Sequence, residues 1–231
     1  MLNKRSKEKE LMDLGQDFYT QEEYEHCLKK LFTINQLMGI FRHTVKLLKR
    51  FPKDADLVDV GCGGGLFLLN LTNYFPDMKM LGLDISEKAI HLAEKELERW
   101  KQKKGGINLS FQLEHQPELS LKQQSVDIIL LTLVCHHVDD EDLIVFLKKA
   151  NDIARKGLII NDLHRHPIAY WYYKFLSPLF RNRLIRHDGL ISIEKGFTRK
   201  ELERLLKLAT IKNYRIKWCF PFRWSILILK S

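Results

Sequence analysis

Short apolar runs take turns with longer amphipathic stretches through the middle of the chain. Residues 57–60, 80–83, 108–113, 127–131 and 157–160 are short and mostly apolar, which predicts five β-strands. The run Asp127-Ile128-Ile129-Leu130-Leu131 has no polar alternation after its first residue, so it predicts a strand buried on both faces. Between the runs, 66–75, 86–103 and 141–154 repeat apolar positions at helical spacing, as with Ala89, Ile90, Leu92, Ala93 and Leu97 on one face. Pro76 stops the first of these helices and Gly105-Gly106 the second. Alternation of this kind builds a parallel, doubly wound sheet. Two further runs, 214–219 and 224–229, predict closing strands.

Helices flank this core. From Tyr24 onward, Leu28, Leu31, Phe32, Leu37, Ile40, Phe41, Val45 and Leu48 keep helical spacing, and Thr20 with Glu23 has the capping-box pattern. The expected organisation is an N-terminal helical cap at 1–50 and a core domain at 51–231. Residues 167–185, with Tyr170, Trp171, Tyr172, Tyr173, Phe175 and Phe180, are too long and too aromatic for a plain connector. They predict a helical lid, spanning about 165–195, inserted ahead of a final helix that Thr198 caps together with Glu201. A helix packed on the sheet without a ligand role fits most of these aromatics equally well.

The core is organised around Leu57-Val58-Asp59-Val60-Gly61-Cys62-Gly63-Gly64-Gly65-Leu66-Phe67. A buried strand ends in a turn where glycines permit positive φ and close backbone approach, and the next helix offers free N–H groups. About 20 residues on, Met80-Leu81-Gly82-Leu83 ends at Asp84, the offset at which a second strand sets a carboxylate against a ribose hydroxyl pair. The plainer alternative is a strand–helix corner with Asp84 as an N-cap.

This stretch resembles motif I of the class I S-adenosylmethionine (SAM)-dependent methyltransferases, in its G-x-G-x-G form. The resemblance implies a Rossmann-like doubly wound seven-stranded sheet, with 214–219 and 224–229 as its antiparallel hairpin. It also implies SAM as cofactor, with Gly61, Gly63 and Gly65 under the methionyl part and Asp84 on the ribose. The implied cofactor set is Asp59, Gly61, Cys62, Gly63, Gly65, Asp84, Ile85, His115, Gln116 and Leu133. His115 stands where the family usually has an acid near the adenine, which leaves Gln116 or backbone groups for that contact.

The segment Thr132-Leu133-Val134-Cys135-His136-His137-Val138-Asp139 closely resembles the corresponding segment of the ubiquinone/menaquinone methyltransferase-like branch. The stretch from Asn161 to Gly189 is similar to small stand-alone bacterial methyltransferases. By that resemblance the general base is His136 or His137 and the supporting acid after the fifth strand is Asp162. A histidine can take a proton near neutral pH, and a carboxylate fixes its tautomer. The alternative is that these histidines shape the cofactor pocket, with His164, His166 and His187 in reserve. No His/carboxylate spacing matches a known metal site, so no metal is expected. Strand 4 leads to no Asn-Pro-Pro-Tyr-like sequence, which speaks against methylation of a base or glutamine amino group.

Charge refines the choice of partner. The chain has 38 Lys/Arg against 29 Asp/Glu, a net +9. From His164 onward there are 15 Lys/Arg and 4 Asp/Glu, so the C-terminal third carries all of the excess. Cys27, Cys62, Cys135 and Cys219 form no C-x-x-C pair, and neither an apolar leader nor an apolar run of about 20 residues is present. The expectation is a cytoplasmic enzyme transferring methyl to a small hydrophobic, aromatic or lipid-like acceptor, most simply at oxygen. The basic aromatic lid adds a peripheral contact with a membrane surface, and nucleic acid is not expected as a partner. The alternatives are an RNA or protein methyltransferase using the basic third, and a SAM-binding protein without catalysis.

Overall fold

The computed structural model describes residues 2–114 and 119–230. The strands are β1 (Asp56–Val60), β2 (Lys79–Asp84), β3 (Leu109–Leu113), β4 (Val126–Thr132), β5 (Ala154–Leu163), β6 (Tyr214–Cys219) and β7 (Arg223–Leu229). They form one sheet in the order β3-β2-β1-β4-β5-β7-β6. The first five are parallel, while β7 runs antiparallel to both β5 and β6. The fold is the Rossmann-like, seven-stranded one the resemblance implied. The order reverses at β1/β4, which opens a crevice at the carboxyl ends of these strands.

The pleat sends alternate side chains to two core layers. Val58, Ile129, Leu131, Leu158 and Ile160 pack against α5 (Asp140–Ile153) and α8 (Arg199–Leu208) through Leu143, Leu147, Leu202 and Leu205. Leu57, Ile128, Leu130 and Ile159 face the other layer, which holds α2 (Ile40–Leu48), α3 (Leu66–Leu71) and α4 (Glu87–Lys104). A third cluster joins α1 (Gln21–Leu37) to α7 (Arg183–Lys195) through Tyr24, Cys27, Leu184 and Ile185. The N-terminal helix and the inserted segment therefore close over the crevice together. Both expected capping boxes, Thr20 with Glu23 and Thr198 with Glu201, are present.

Two elements differ in length from the sequence expectation. α3 ends at Leu71 and continues as turns, with Tyr74 N–H donating to Leu71 O. β5 extends to Leu163, through polar residues that would ordinarily end a buried strand. Its polarity is satisfied internally, since Asn161 Nδ2 donates to Thr44 Oγ1 at 3.0 Å and Asp162 bonds a histidine described below.

Gly65 shows how tightly the first turn is packed. Its φ is +71°, and a Cβ there would lie 2.4 Å from the Phe111 ring. Gly65→Ala is expected to lower stability by about 2–4 kcal/mol, from backbone strain plus overpacking. The shift in urea midpoint measures it.

Candidate active site

β1 delivers the chain to the glycine turn at the crevice. Gly61 N–H and Cys62 N–H both donate to Leu83 O, and Gly63 N–H donates to Asp84 Oδ2 at 2.8 Å. Asp84 Oδ1 accepts from Ser86 N–H at 2.9 Å, and Ser86, not Asp84, caps α4. The carboxylate thus braces the turn while its free lone pairs face the crevice. Burial raises the Asp84 carboxyl above its ordinary value, against the lowering effect of these N–H groups. A Cβ on Gly61 would meet Val134 Cγ2 at 2.4 Å, so the turn backbone lies bare against the end of β4.

Asp59 sits beneath the turn. It is buried, its Oδ1 has no hydrogen-bond partner among the described residues, and burial with the Asp84 charge pushes its carboxyl well up. Leu133 takes φ of +60°, a strained conformation for a leucine, held by Leu133 N–H donating to Asn161 O. Asp59, Gly61, Cys62, Gly63, Asp84, Ile85 and Leu133 all line one cavity of about 2200 Å³. Gly65 does not line it: its place is against Phe111 and Ala93, so its part is close packing of helix on strand. Burial pushes the Cys62 thiol well up, which disfavours the thiolate. His115 and Gln116 lie outside the described residues.

At the ends of β4 and β5 the two histidines have different partners. His136 is buried, and its Nδ1 stands 2.7 Å from Asp162 Oδ1 while its own N–H donates to Asp162 Oδ2. Burial would raise the fully buried Asp162 carboxyl, but His136 and the Leu163 N–H together hold it below the usual carboxylate range. His136 also lines the cavity. The His137 ring lies 4.2 Å from that of His136, but its Nδ1 meets Asp13 Oδ2 at 3.1 Å. Burial lowers the His137 imidazole, yet Asp13 and Glu10 outweigh it and raise it, and Asp13 is held down at about 2.

Asp13 and Glu10 come from an N-terminal strap with no signature of its own in the sequence. Arg5 pins it, its Nη2 donating to His136 O at 2.9 Å and to Val138 O at 3.0 Å. Glu10 is buried, and its Oε1 lies 3.8 Å from His136 Nε2 and 3.5 Å from Lys195 Nζ. One donor atom each from Glu10, His136 and His137 falls within 4.8 Å of the others, a grouping that could hold a cation. Spacing along the chain could not reveal it, because Glu10 arrives from the far end. The Lys195 ammonium, also 3.3 Å from Asp13, already supplies the positive charge there.

Arg223 was equally illegible. It sits at the start of β7, lines the same cavity, has an enclosed Nε without an acceptor, and has no ion-pair partner among the described residues. Burial lowers its guanidinium to about 10, against the charge of Asp162.

The reserve histidines pair elsewhere, although His164 also lines the cavity. His166 Nδ1 accepts from Ile168 N–H at the start of α6 (Pro167–Leu176), and His187 pairs with Asp188. His164 Nδ1 accepts from Trp218 Nε1 at 3.1 Å, and burial followed by His166 and Arg165 lowers it to about 4. A base with a depressed folded value stabilises the fold above its unfolded value of about 6.5 and loses that contribution as pH falls toward the folded one. The urea-midpoint gap between wild type and His164→Gln is therefore expected to be wide at about pH 7 and narrower at about pH 5.

Residues 57–157 match the methyltransferase domain family. No curated protein sequence matches the chain. Among solved structures, a SAM-dependent methyltransferase from Aquifex aeolicus is 19% identical with a TM-score of 0.66, over 90% of this chain and 98% of that one. A SAM-dependent methyltransferase from Thermotoga maritima is 17% identical with a TM-score of 0.60, over 92% of this chain and all of that one (100%). Magnesium protoporphyrin IX methyltransferase from Synechocystis, with SAM bound, is 15% identical with a TM-score of 0.59, over 88% and 84%. At these identities the likeness establishes the fold, and the domain match over residues 57–157 supports a methyltransferase with SAM as its methyl donor.

Proposed function

We propose that the enzyme transfers methyl from SAM to an oxygen of a small hydrophobic or aromatic acceptor, with His136 as general base and Asp162 as the residue that orients it. The cofactor fits what the chain offers. The methionyl ammonium would complete the orphaned carboxylate oxygen of Asp59, the bare glycine backbone would admit the methionyl chain, and Asp84 would accept from the ribose hydroxyls. Bound SAM supplies an already activated methyl group, because its sulfur leaves as a neutral thioether.

What remains for the protein is alignment and removal of one proton. The observation that carries the reading is the 2.7 Å contact between His136 Nδ1 and Asp162, which leaves Nε2, 3.8 Å from Glu10 Oε1, as the nitrogen available to the acceptor. Asp162 holds the proton on Nδ1, so Nε2 takes the proton of the acceptor hydroxyl as the new oxygen–carbon bond forms. Asp162 on one side and Glu10 on the other balance the imidazolium until it passes the proton to solvent. Arg223, whose guanidinium has no ion-pair partner among the described residues, favours the negative oxygen that develops on a phenol or enol.

The walls favour an apolar acceptor: Ile168, Ala169, Tyr172, Leu176, Phe180 and Phe220 line the cavity beyond the histidines. A porphyrin as the substrate of the Synechocystis enzyme agrees with a flat acceptor on this fold. We place the chain in the ubiquinone/menaquinone methyltransferase-like branch, working from the cytoplasm. The test is release of S-adenosylhomocysteine with a panel of hydrophobic phenols and quinols, beside RNA and peptide arms. Turnover with phenols supports the reading, and turnover confined to RNA or peptide overturns it.

A further inference from the structure

We infer that α6 docks on an anionic lipid bilayer, with the mouth of the active-site cavity turned toward the lipid. Ile168, Trp171, Tyr172, Phe175 and Leu179 recur at helical spacing across α6 and the turn after it, the pattern that ordinarily marks a core-facing stripe. Here the stripe faces outward, and these five side chains are 62–82% exposed. Phe220, on the neighbouring β6–β7 turn, is 78% exposed and extends the patch. A patch of this kind marks a contact surface in a folded protein.

Its charge selects the occupant. Between Asp162 and Asp188 the chain has five Lys/Arg and no Asp/Glu. Arg165 is buried against Glu201 and Arg183 is tied to Glu23, which leaves Lys174, Arg181 and Arg186 exposed without an ion-pair partner among the described residues. Lys174 Nζ lies 5.0 Å from the Trp171 ring centre, an ammonium above an aromatic belt. Apolar and aromatic side chains in the plane of a helix, flanked by lysine and arginine, suit the headgroup–acyl boundary of an anionic leaflet. No described helix is long and apolar enough to cross a membrane, so the contact is peripheral.

The stripe is also continuous with the site. Ile168, Tyr172 and Phe220 belong both to the exposed patch and to the cavity wall. A docked enzyme would thus admit a hydrophobic acceptor from the bilayer without passage through water, a consequence that rests on the acceptor reading above, whereas docking itself does not.

The test is flotation of the full chain with phosphatidylcholine vesicles, with and without about 30 mol% phosphatidylglycerol, at low and high salt. Wild type is expected to float with the anionic vesicles and to be released by salt. Lys174→Glu/Arg181→Glu/Arg186→Glu is expected to lower partitioning about 100-fold, and Trp171→Ser/Phe175→Ser/Leu179→Ser at least about 10-fold. None of these six residues lines the cavity, so SAM affinity by calorimetry should be unchanged in both variants. Absence of flotation, or flotation that neither variant weakens, overturns the inference. So does a dimer in sedimentation that the apolar variant splits while vesicle binding is nil, which would assign the patch to a second copy of the chain. Vesicle binding without turnover of any phenol would instead overturn the acceptor reading and leave docking standing.

Discussion

Asp84→Ala is expected to weaken SAM binding by about 100-fold or more, the cost of removing a charged acceptor from a ribose hydroxyl pair in a buried site. Part of the loss arises inside the protein, because Asp84 also accepts from Gly63 N–H and Ser86 N–H and so holds the turn and the start of α4 in register. Asp84→Asn separates the two effects, since an amide oxygen still accepts one of those bonds but has no charge. Calorimetric titration with SAM and S-adenosylhomocysteine, with NADH as the control, reads the result. The sign with pH follows from burial: the Asp84 carboxyl is raised, so affinity should fall on acidification sooner than an exposed aspartate would allow. Equal affinity in wild type and Asp84→Ala would remove Asp84 from the cofactor site.

His136→Ala is expected to lower kcat by 10²–10⁴-fold, about the range for loss of a general base, with SAM affinity nearly unchanged. His137→Ala should cost far less, because that ring pairs with Asp13 and Glu10, whereas the hydrogen bond to the orienting acid is made by His136. Asp162→Asn tests the tautomer directly, since its amide can present an N–H to Nδ1 and drive the imidazole proton to Nε2, where the base must be free. Its kcat should approach that of His136→Ala.

Asp162 also ties the site to stability. Its folded carboxyl is held below the unfolded value of about 3.9, so its stabilising contribution is present above that value and is lost as pH falls through the folded one. Wild type should therefore lose more stability than Asp162→Asn on acidification below about pH 4. Rates for His136→Ala and His137→Ala that are alike would refute the assignment of the base.

Much of the glycine turn proposed to hold the cofactor was legible before any coordinates. Gly61, Gly63 and Asp84 announce themselves by residue type and spacing, because a positive-φ turn at the end of a buried strand is a local demand that few residues meet. Gly65 shares the pattern but not the role: the same backbone freedom serves packing against Phe111, and spacing alone cannot distinguish a glycine that faces a ligand from one that faces a ring. For the proposed base, the candidate residues were visible in the sequence and their pairing was not. His136 and His137 are neighbours of one chemical type, and which ring reaches Asp162 depends on a single 3-10 turn over Cys135–His137.

Strand and helix alternation, both capping boxes and the glycine turn belong to the sequence by itself, since each rests on contacts within a few residues and on the periods of 2 and 3.6. Only the tertiary structure decided what arrives from a distance. It brings Glu10 and Arg5 from the N-terminus onto the end of β4, sets Arg223 of the last strand into the cavity, and points the apolar stripe of α6 outward. The physical reason is the same in each case. A periodic pattern states that a face exists, but what that face meets is fixed by packing among elements far apart in the chain.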